Sequence, residues 1–183
     1  MQNAENVSAA KPNAAGAIWS APAGTAAPTD AKTPLDEAFN SLGYVSDSGI
    51  VNTIEGDTEQ VTAFGGDTVM DMKKSHKESY KFTPIETNKY SLAETYGDEN
   101  VIVDDKGALK VVHNGKERAA KLYVIEILMN ANRVKRIVIP RGKVVGIGDV
   151  SYVDGAPIGA ELTLSALPDE QGNTAYEYIA EVV

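Results

Sequence analysis

The sequence predicts a mainly β protein with one helical segment. Short runs of alternating apolar and polar residues recur along the chain, and one segment shows a helical pattern. With 183 residues and 43% apolar content, the chain suits one compact domain. Turn signals separate the runs, at Asp47-Ser48-Gly49, Gly65-Gly66, Asp105-Lys106-Gly107, Asp154-Gly155 and Gln171-Gly172-Asn173.

The N-terminal part has a different composition. Residues 1–34 are rich in Ala, Pro, Thr and Gly and show little apolar periodicity, which is typical of a flexible arm. We therefore expect an arm over 1–34, anchored by the only tryptophan, Trp19, and a sandwich domain over 35–183. The segment from Thr33 to Gly43 begins with a capping residue followed by Pro34, which predicts a short helix or a single turn.

Three later segments have strand patterns. Ile158 to Ala166 alternates strictly, with apolar residues on one side and Glu161, Thr163 and Ser165 on the other. The final strand repeats this alternation, with Glu177 and Glu181 on its polar side. The run from Leu122 to Met129 is apolar on both sides, so we expect it to be a central strand covered on both faces.

One segment predicts a helix. From about Thr87 to Tyr96, the spacing of Tyr90, Ala93 and Tyr96 gives one apolar stripe, and Gly97 provides a stop signal. We expect this helix to cover one edge of the sandwich.

Charge is distributed in blocks. The stretch from Lys106 to Lys143 holds ten basic residues and only Glu117 and Glu126, a net charge of +8, whereas residues 144–183 hold seven acids and no Lys or Arg, a net charge of −7. Either strands of the two blocks pair within one sheet, or the molecule has two complementary faces. The overall charge of −9 argues against general attraction to DNA or anionic membranes.

The sequence shows no catalytic, cofactor-binding or metal site. It contains no cysteine, His76 and His113 lie far apart, and Gly146-Ile147-Gly148 lacks the third glycine of a phosphate loop. Asp104-Asp105-Lys106-Gly107 lacks the alternating ligands of a calcium loop and predicts a hairpin turn. There is no apolar run long enough to span a membrane and no signal-peptide pattern. We expect no enzyme activity.

Three long segments of the sequence carry a family resemblance. The chain resembles the major tail tube proteins of long, non-contractile-tailed bacteriophages or prophages over about residues 16–179. The resemblance lies in GAIWSAPAGTAAPTDAKTPLDEAFNSLGYVSDSGI, in VTAFGGDTVMDMKKSHKESYKFTPIETNKYSLAETYGDENV and in GAELTLSALPDEQGNTAYEYI.

The resemblance implies a β-sandwich of two sheets with one flanking α-helix. It also implies hexameric rings of this sandwich, stacked into a tube that conducts DNA during ejection. It implies a location in the virion tail after assembly in the host cytoplasm. The implied partners are other copies of the chain, the tape measure, tail terminator and distal tail proteins, and passing double-stranded DNA that is not bound specifically. Since the chain ends at Val183, we expect no additional immunoglobulin-like domain.

A conducting lumen must not bind its cargo, because each lysine or arginine on a phosphate adds affinity. We therefore hypothesise that the lumen is lined by residues from strands without basic neighbours in sequence: Glu161, Thr163, Ser165, Glu177 and Glu181.

Stacking needs contacts between different surfaces of identical copies. We expect the acidic region from about Ile54 to Thr68 to reach the next ring, with the N-terminal arm as a second clasp. The candidate contact residues are Trp19, Phe39, Tyr44, Glu55, Asp57, Glu59, Asp67, Arg133, Lys135, Arg136, Arg141 and Lys143.

Two alternatives stay open at this point. One is the tube protein of a contractile injection or secretion system, which would share the sandwich and the hexamer. The other is a monomeric β-sandwich binding module.

Overall fold

The computed structural model describes residues 7–13 and 16–182. Over these residues it confirms a mainly β protein with one α-helix, α1 (Lys89–Tyr96). The strands are β1 (Ala10–Pro12), β2 (Ile18–Ala21), β3 (Asn40–Ser41), β4 (Val45–Glu55), β5 (Thr58–Thr62), β6 (Thr68–Lys73), β7 (Lys77–Pro84), β8 (Val101–Val103), β9 (Leu109–Val111), β10 (Lys121–Met129), β11 (Arg133–Ile147), β12 (Leu162–Ala166) and β13 (Tyr176–Glu181).

Nine strands form one antiparallel sheet. Its main order is β3-β2-β10-β11-β12-β7-β4, with β1 added beside β10 and β13 added beside β11. Strands β5 and β6 form a separate hairpin at the end of β4 and β7, and β8 and β9 form another after the helix. The two layers of the sandwich are thus parts of one continuous sheet.

Strand β11 joins the two layers. Its first half pairs with β13 and its second half with β12, while β10 follows the opposite edge. The pairing register shifts beside Lys121 and again at Val145, and such bulges bend a strand. The glycine-containing run around Val145 is therefore a bulged strand and not a phosphate loop.

The core lies between the layers. Ile18 and Ile139 of the first layer and Tyr80 and Leu164 of the second are at most 2% exposed and belong to one cluster. Side chains on an uncovered sheet face would not be excluded from water so completely, so the two layers must face each other. A second cluster, containing Leu122, packs on the opposite face of β10.

The prediction of a central strand is confirmed for the first half of β10. Residues 122–125 are all buried, because β2 and β11 flank the strand and both of its faces are covered. Toward Met129 the strand is half-buried or exposed.

The helix prediction is also confirmed. Asn88 caps α1 by accepting hydrogen bonds from the amides of Tyr90 and Ser91, and Gly97 ends the helix at φ +99°. The expected stripe is only partly correct, because Ala93 is buried whereas Tyr90 is exposed. Within the described residues, no helix has the length and apolar character needed to cross a membrane.

The expected boundary of the N-terminal arm needs correction. Strand β2 pairs with β10, and its residue Ile18 is fully buried, so the described residues from Gly16 onward are part of the domain. Residues 1–6 and 14–15 of the expected arm lie outside the described residues. The 33–43 segment forms a single turn, in which the amide of Phe39 donates to the carbonyl of Asp36.

Four of the five predicted turns connect strands or loop segments as expected. The exception is Asp47-Ser48-Gly49, which lies inside β4, where the register shifts between Val45 and Ile50. A bulge and a turn share residue preferences, since both use glycine at positive φ, here +72° at Gly49.

The charge blocks pair within the molecule. Basic β11 pairs along one edge with both acidic-block strands, β13 and then β12, and Lys135 makes a 2.8 Å ion pair with Glu177. Of the two interpretations of the charge pattern, the structure supports pairing inside the sheet.

Candidate functional site

A four-stranded sheet surface is open to solvent on one side. It is formed by the second half of β11 and by β12, β7 and β4, and we call its outer side the open face. Directly opposite residues of antiparallel strands share a face. The register therefore gives one row across the open face of Lys143, Ser165, Ser79 and Thr53, and a second row of Thr163, Lys81 and Val51.

Strict alternation creates this surface. In β12, Leu162 and Leu164 point into the core while Thr163 lies on the open face, and β7 alternates in the same way. Gly146 on β11 lets β12 approach closely, because a Cβ at Gly146 would lie 3.3 Å from the Thr163 side chain. The result is a surface of short polar side chains with a few long charged ones.

The lumen-lining hypothesis divides into two groups in the structure. Glu161, Thr163 and Ser165 follow one another along the open face. Glu177 and Glu181 lie on β13, beside the first half of β11, and are not part of this face.

The hypothesis assumed that these strands lack basic neighbours, but the fold places lysines beside their glutamates. Lys81 lies 3.4 Å from Glu161, and Lys135 lies 2.8 Å from Glu177. The basic partners come from the neighbouring strands β7 and β11 of the sheet, which composition of the C-terminal block alone does not reveal.

The second candidate surface is a hairpin that extends from the end of β4 and β7. Every residue from 54 to 74 is exposed, and we call this segment the arm. Val61 lies opposite Met70, and Glu59 opposite Met72, so one side of the β5–β6 hairpin carries an apolar strip. At its tip Phe64 is fully exposed.

Exposed apolar side chains on a projecting hairpin are typical of a protein interface. The arm also carries the predicted acidic contact residues Glu55, Asp57, Glu59 and Asp67, and all four are exposed. Glu59 makes a 2.7 Å ion pair with Lys74 within the arm.

The other predicted contact residues divide by burial. Tyr44 is 74% exposed and remains available, whereas Phe39 is buried and Trp19 half-buried against the second core cluster. These two aromatic side chains cover β10 and β11 of their own chain. Burial follows because residues 22–39 fold back over the sheet.

The five basic contact candidates all have partners in their own chain. Arg136 is buried in an ion pair with Glu126, so its side chain is engaged within its own chain. The remaining intrachain partners are Glu177 for Lys135, Glu117 for Lys143, the Pro168 carbonyl for Arg141 and the Ser8 hydroxyl for Arg133.

Sequence reasoning missed a buried polar cluster beneath the helix. The Glu94 carboxylate accepts hydrogen bonds from Ser20 Oγ at 2.9 Å and from the Tyr123 hydroxyl, and it pairs with Lys121 at 3.0 Å. Burial and the charge of Glu94 raise the pKa of Tyr123 well above its usual value. The cluster attaches α1 to β2 and β10, and the sequence signal was a carboxylate on the inward side of a short helix.

A second polar cluster lies at the base of the arm. Glu78 on β7 accepts hydrogen bonds from Asn52, from the Tyr80 hydroxyl and from Thr174. Burial opposes ionisation, but these donors outweigh it and lower the pKa of Glu78. The cluster fixes β4 and β7 to the turn before β13, so the arm projects from a rigid base.

The comparisons with known proteins identify the family. A family model described as phage tail tube protein matches residues 3–183. No curated protein matches the chain. Among solved structures, the chain is similar to one in the cryo-EM structure of the anti-feeding prophage cap, a tube-terminating cap, at 8% identity with 97% of each chain covered and a TM-score of 0.38. On the family match, this chain belongs to the phage tail tube protein family.

Proposed function

We propose that this chain polymerises as stacked hexameric rings and forms the tube of a long, non-contractile phage tail that conducts DNA. The open face is the observation that carries this proposal. It offers a regular, polar sheet surface that ends at an exposed edge strand, β4. Family membership favours such a structural role over an enzymatic one.

The geometry of the open face fits a ring. An edge strand presents unpaired backbone groups, and pairing with a neighbouring copy satisfies them. Six copies giving four strands each make about 24 strands, which at ~4.8 Å spacing and ~40° tilt close a barrel about 48 Å across. A duplex fits within that bore.

The arm supplies the contact between rings. A tube grows by a heterologous contact, in which one surface meets a different surface of the next copy. From Gly56 to Phe64 the arm extends for about 26 Å at ~3.3 Å per residue, so it reaches well past its own domain. Burial of Phe64 and of the apolar strip supplies the affinity between rings, since exposed ion pairs contribute only ~0 to 1 kcal/mol each.

The proposed partners follow from a tail tube. They are other copies of this chain, the tape measure, tail terminator and distal tail proteins, and double-stranded DNA in transit. The protein would assemble in the host cytoplasm and end in the virion tail.

Negative-stain electron microscopy of the concentrated protein tests this function. The parent should form tubes. A variant with Phe64→Ser, Met70→Ser and Met72→Ser should remain a folded single chain, because the apolar side of its arm is lost. The matched control, Val103→Ser with Leu109→Ser, changes exposed apolar residues of the β8–β9 hairpin and should still form tubes.

Tubes formed by the arm variant would refute the role of the arm. A parent protein that stays monomeric at every concentration would refute the tube itself.

A further inference from the structure

Two lysines of the open face pair with a carboxylate, and a third lies opposite a glutamate in the strand register. Lys81 lies 3.4 Å from Glu161, and Lys143 lies 3.2 Å from Glu117. The third, Lys77, is directly opposite Glu55 across β7 and β4. This pairing draws on three different parts of the chain.

Glu117 shows that the pairing is not a simple result of strand register. It lies in the exposed segment before β10, outside the four strands of the open face, yet its carboxylate reaches Lys143. Glu161 precedes β12 and is held beside β11, where the Gly148 amide donates to its carbonyl. A Cβ at Gly148 would lie 3.3 Å from the Glu161 Cβ, so glycine permits this close approach.

Unpaired lysines on this surface would bind a duplex. Each lysine that contacts a phosphate releases counterions and steepens the salt dependence of binding by ~0.9 on a logarithmic scale. In a ring the effect would be repeated around the bore, and the duplex would have to break these contacts as it moves. A carboxylate beside each lysine cancels the local charge and competes with phosphate for the ammonium group.

We infer that the open face is an internally neutralised lining, in which Glu161, Glu117 and Glu55 screen Lys81, Lys143 and Lys77 from a passing double-stranded nucleic acid. The inference rests on the proposed function, because it places this face toward the bore. It assigns the carboxylates a role opposite to that of a uniformly acidic wall: they act on their lysine neighbours first.

Binding of a short random-sequence DNA duplex by the unassembled full chain tests the screening. Glu161→Gln with Glu117→Gln frees two lysines, so the slope of log affinity against log salt should steepen by about two relative to the parent. The matched control, Glu37→Gln with Glu170→Gln, makes the same change in net charge in exposed turns outside the open face and should leave the slope unchanged. Adding Lys81→Gln and Lys143→Gln to the first variant should restore the parental slope.

An unchanged slope in the Glu161 and Glu117 variant, or an equal change in the control, would overturn the screening. The same variant assembled into tubes tests the placement of the face. Added duplex should not coat the tube wall, because the freed lysines point inward, and coating along the wall would overturn the inference. Absence of tubes in the parent would instead refute the proposed function, and the free-chain measurement would still decide the screening.

Discussion

The guanidinium of Arg136 lies against the carboxylate of Glu126, to which its Nε and Nη2 donate at 3.0 and 2.5 Å. Its Nη1 donates to the carbonyls of Asp30 and Thr33, at 3.0 and 2.8 Å. A single side chain thus joins β10 and β11 to the segment that covers them. This arrangement explains why a basic residue expected at a subunit contact is 4% exposed.

Replacing this arginine should destabilise the fold severely. Arg136→Ala leaves Glu126 with an uncompensated charge and leaves two carbonyls without donors, at an expected cost of about 3 to 5 kcal/mol in unfolding free energy. Urea denaturation measures it. Arg141→Ala is the control, because exposed Arg141 donates one hydrogen bond to the Pro168 carbonyl. It should cost no more than about 1 kcal/mol, and an equal loss in both variants would contradict this role of Arg136.

The sequence predicted the elements whose signals are local. Alternation in Leu162 to Ala166 identified a strand and its buried side, and Gly97 marked the end of α1. These signals depend on backbone preference and side-chain periodicity, which neighbouring residues largely determine.

Features that depend on distant contacts were not predictable in this way. The alanine- and proline-rich composition around Ile18 concealed a core strand, because β2 is buried by β10, more than a hundred residues later. The lysine partners of Glu161 and Glu177 likewise come from register between strands, which one sequence does not specify.

A close packing contact beside the bulge of β11 gives a second prediction. A Cβ at Gly142 would lie 2.5 Å from the Tyr123 ring and 3.0 Å from Leu164, both in the core. Gly142→Ala should therefore lower the unfolding free energy by about 2 kcal/mol, since overpacked cores typically lose that much. Thermal denaturation followed by circular dichroism measures the loss.

Gly115→Ala is the control for this substitution. Gly115 is exposed and has nothing within 4 Å of its virtual Cβ. The variant should be as stable as the parent or up to about 1 kcal/mol more stable, because alanine restricts the unfolded chain. A Gly142→Ala protein as stable as the Gly115→Ala protein would contradict the packing described here.

The buried tyrosines predict a loss of stability in alkali. Burial and a neighbouring carboxylate raise the pKa values of Tyr80 and Tyr123, through Glu78 and Glu94 respectively. Both hydroxyls stay protonated in the folded state while the unfolded state loses its protons above about pH 10. Stability is therefore complete below that pH and falls above it, by about 1.4 kcal/mol per pH unit for each tyrosine.

Denaturation at several alkaline pH values measures this slope. Tyr123→Phe should reduce the slope by the contribution of one tyrosine. Tyr44→Phe, at a side chain that is 74% exposed, should leave the slope close to that of the parent. An identical slope in the parent and in Tyr123→Phe would show that Tyr123 ionises as readily folded as unfolded.

Two N-terminal truncations separate folding from assembly. Strand β1 is exposed and, in the part of the chain that the structure describes, pairs only with the end of β10. A chain lacking residues 1–13 should therefore stay folded, with a melting temperature near that of the parent. A chain lacking residues 1–30 also loses β2, including fully buried Ile18, and the Asp30 carbonyl that accepts from Arg136. It should fail to fold, because the first layer loses a strand from its interior. Circular dichroism distinguishes the two, and a cooperative parental melt in the longer truncation would contradict the place of β2 in the core.

If the N-terminal segment also acts as a clasp between copies, the shorter truncation remains a folded monomer in electron micrographs. Tubes formed by that truncation would contradict a clasp role for the N-terminal segment and would leave the arm and the edge of β4 as the assembly contacts.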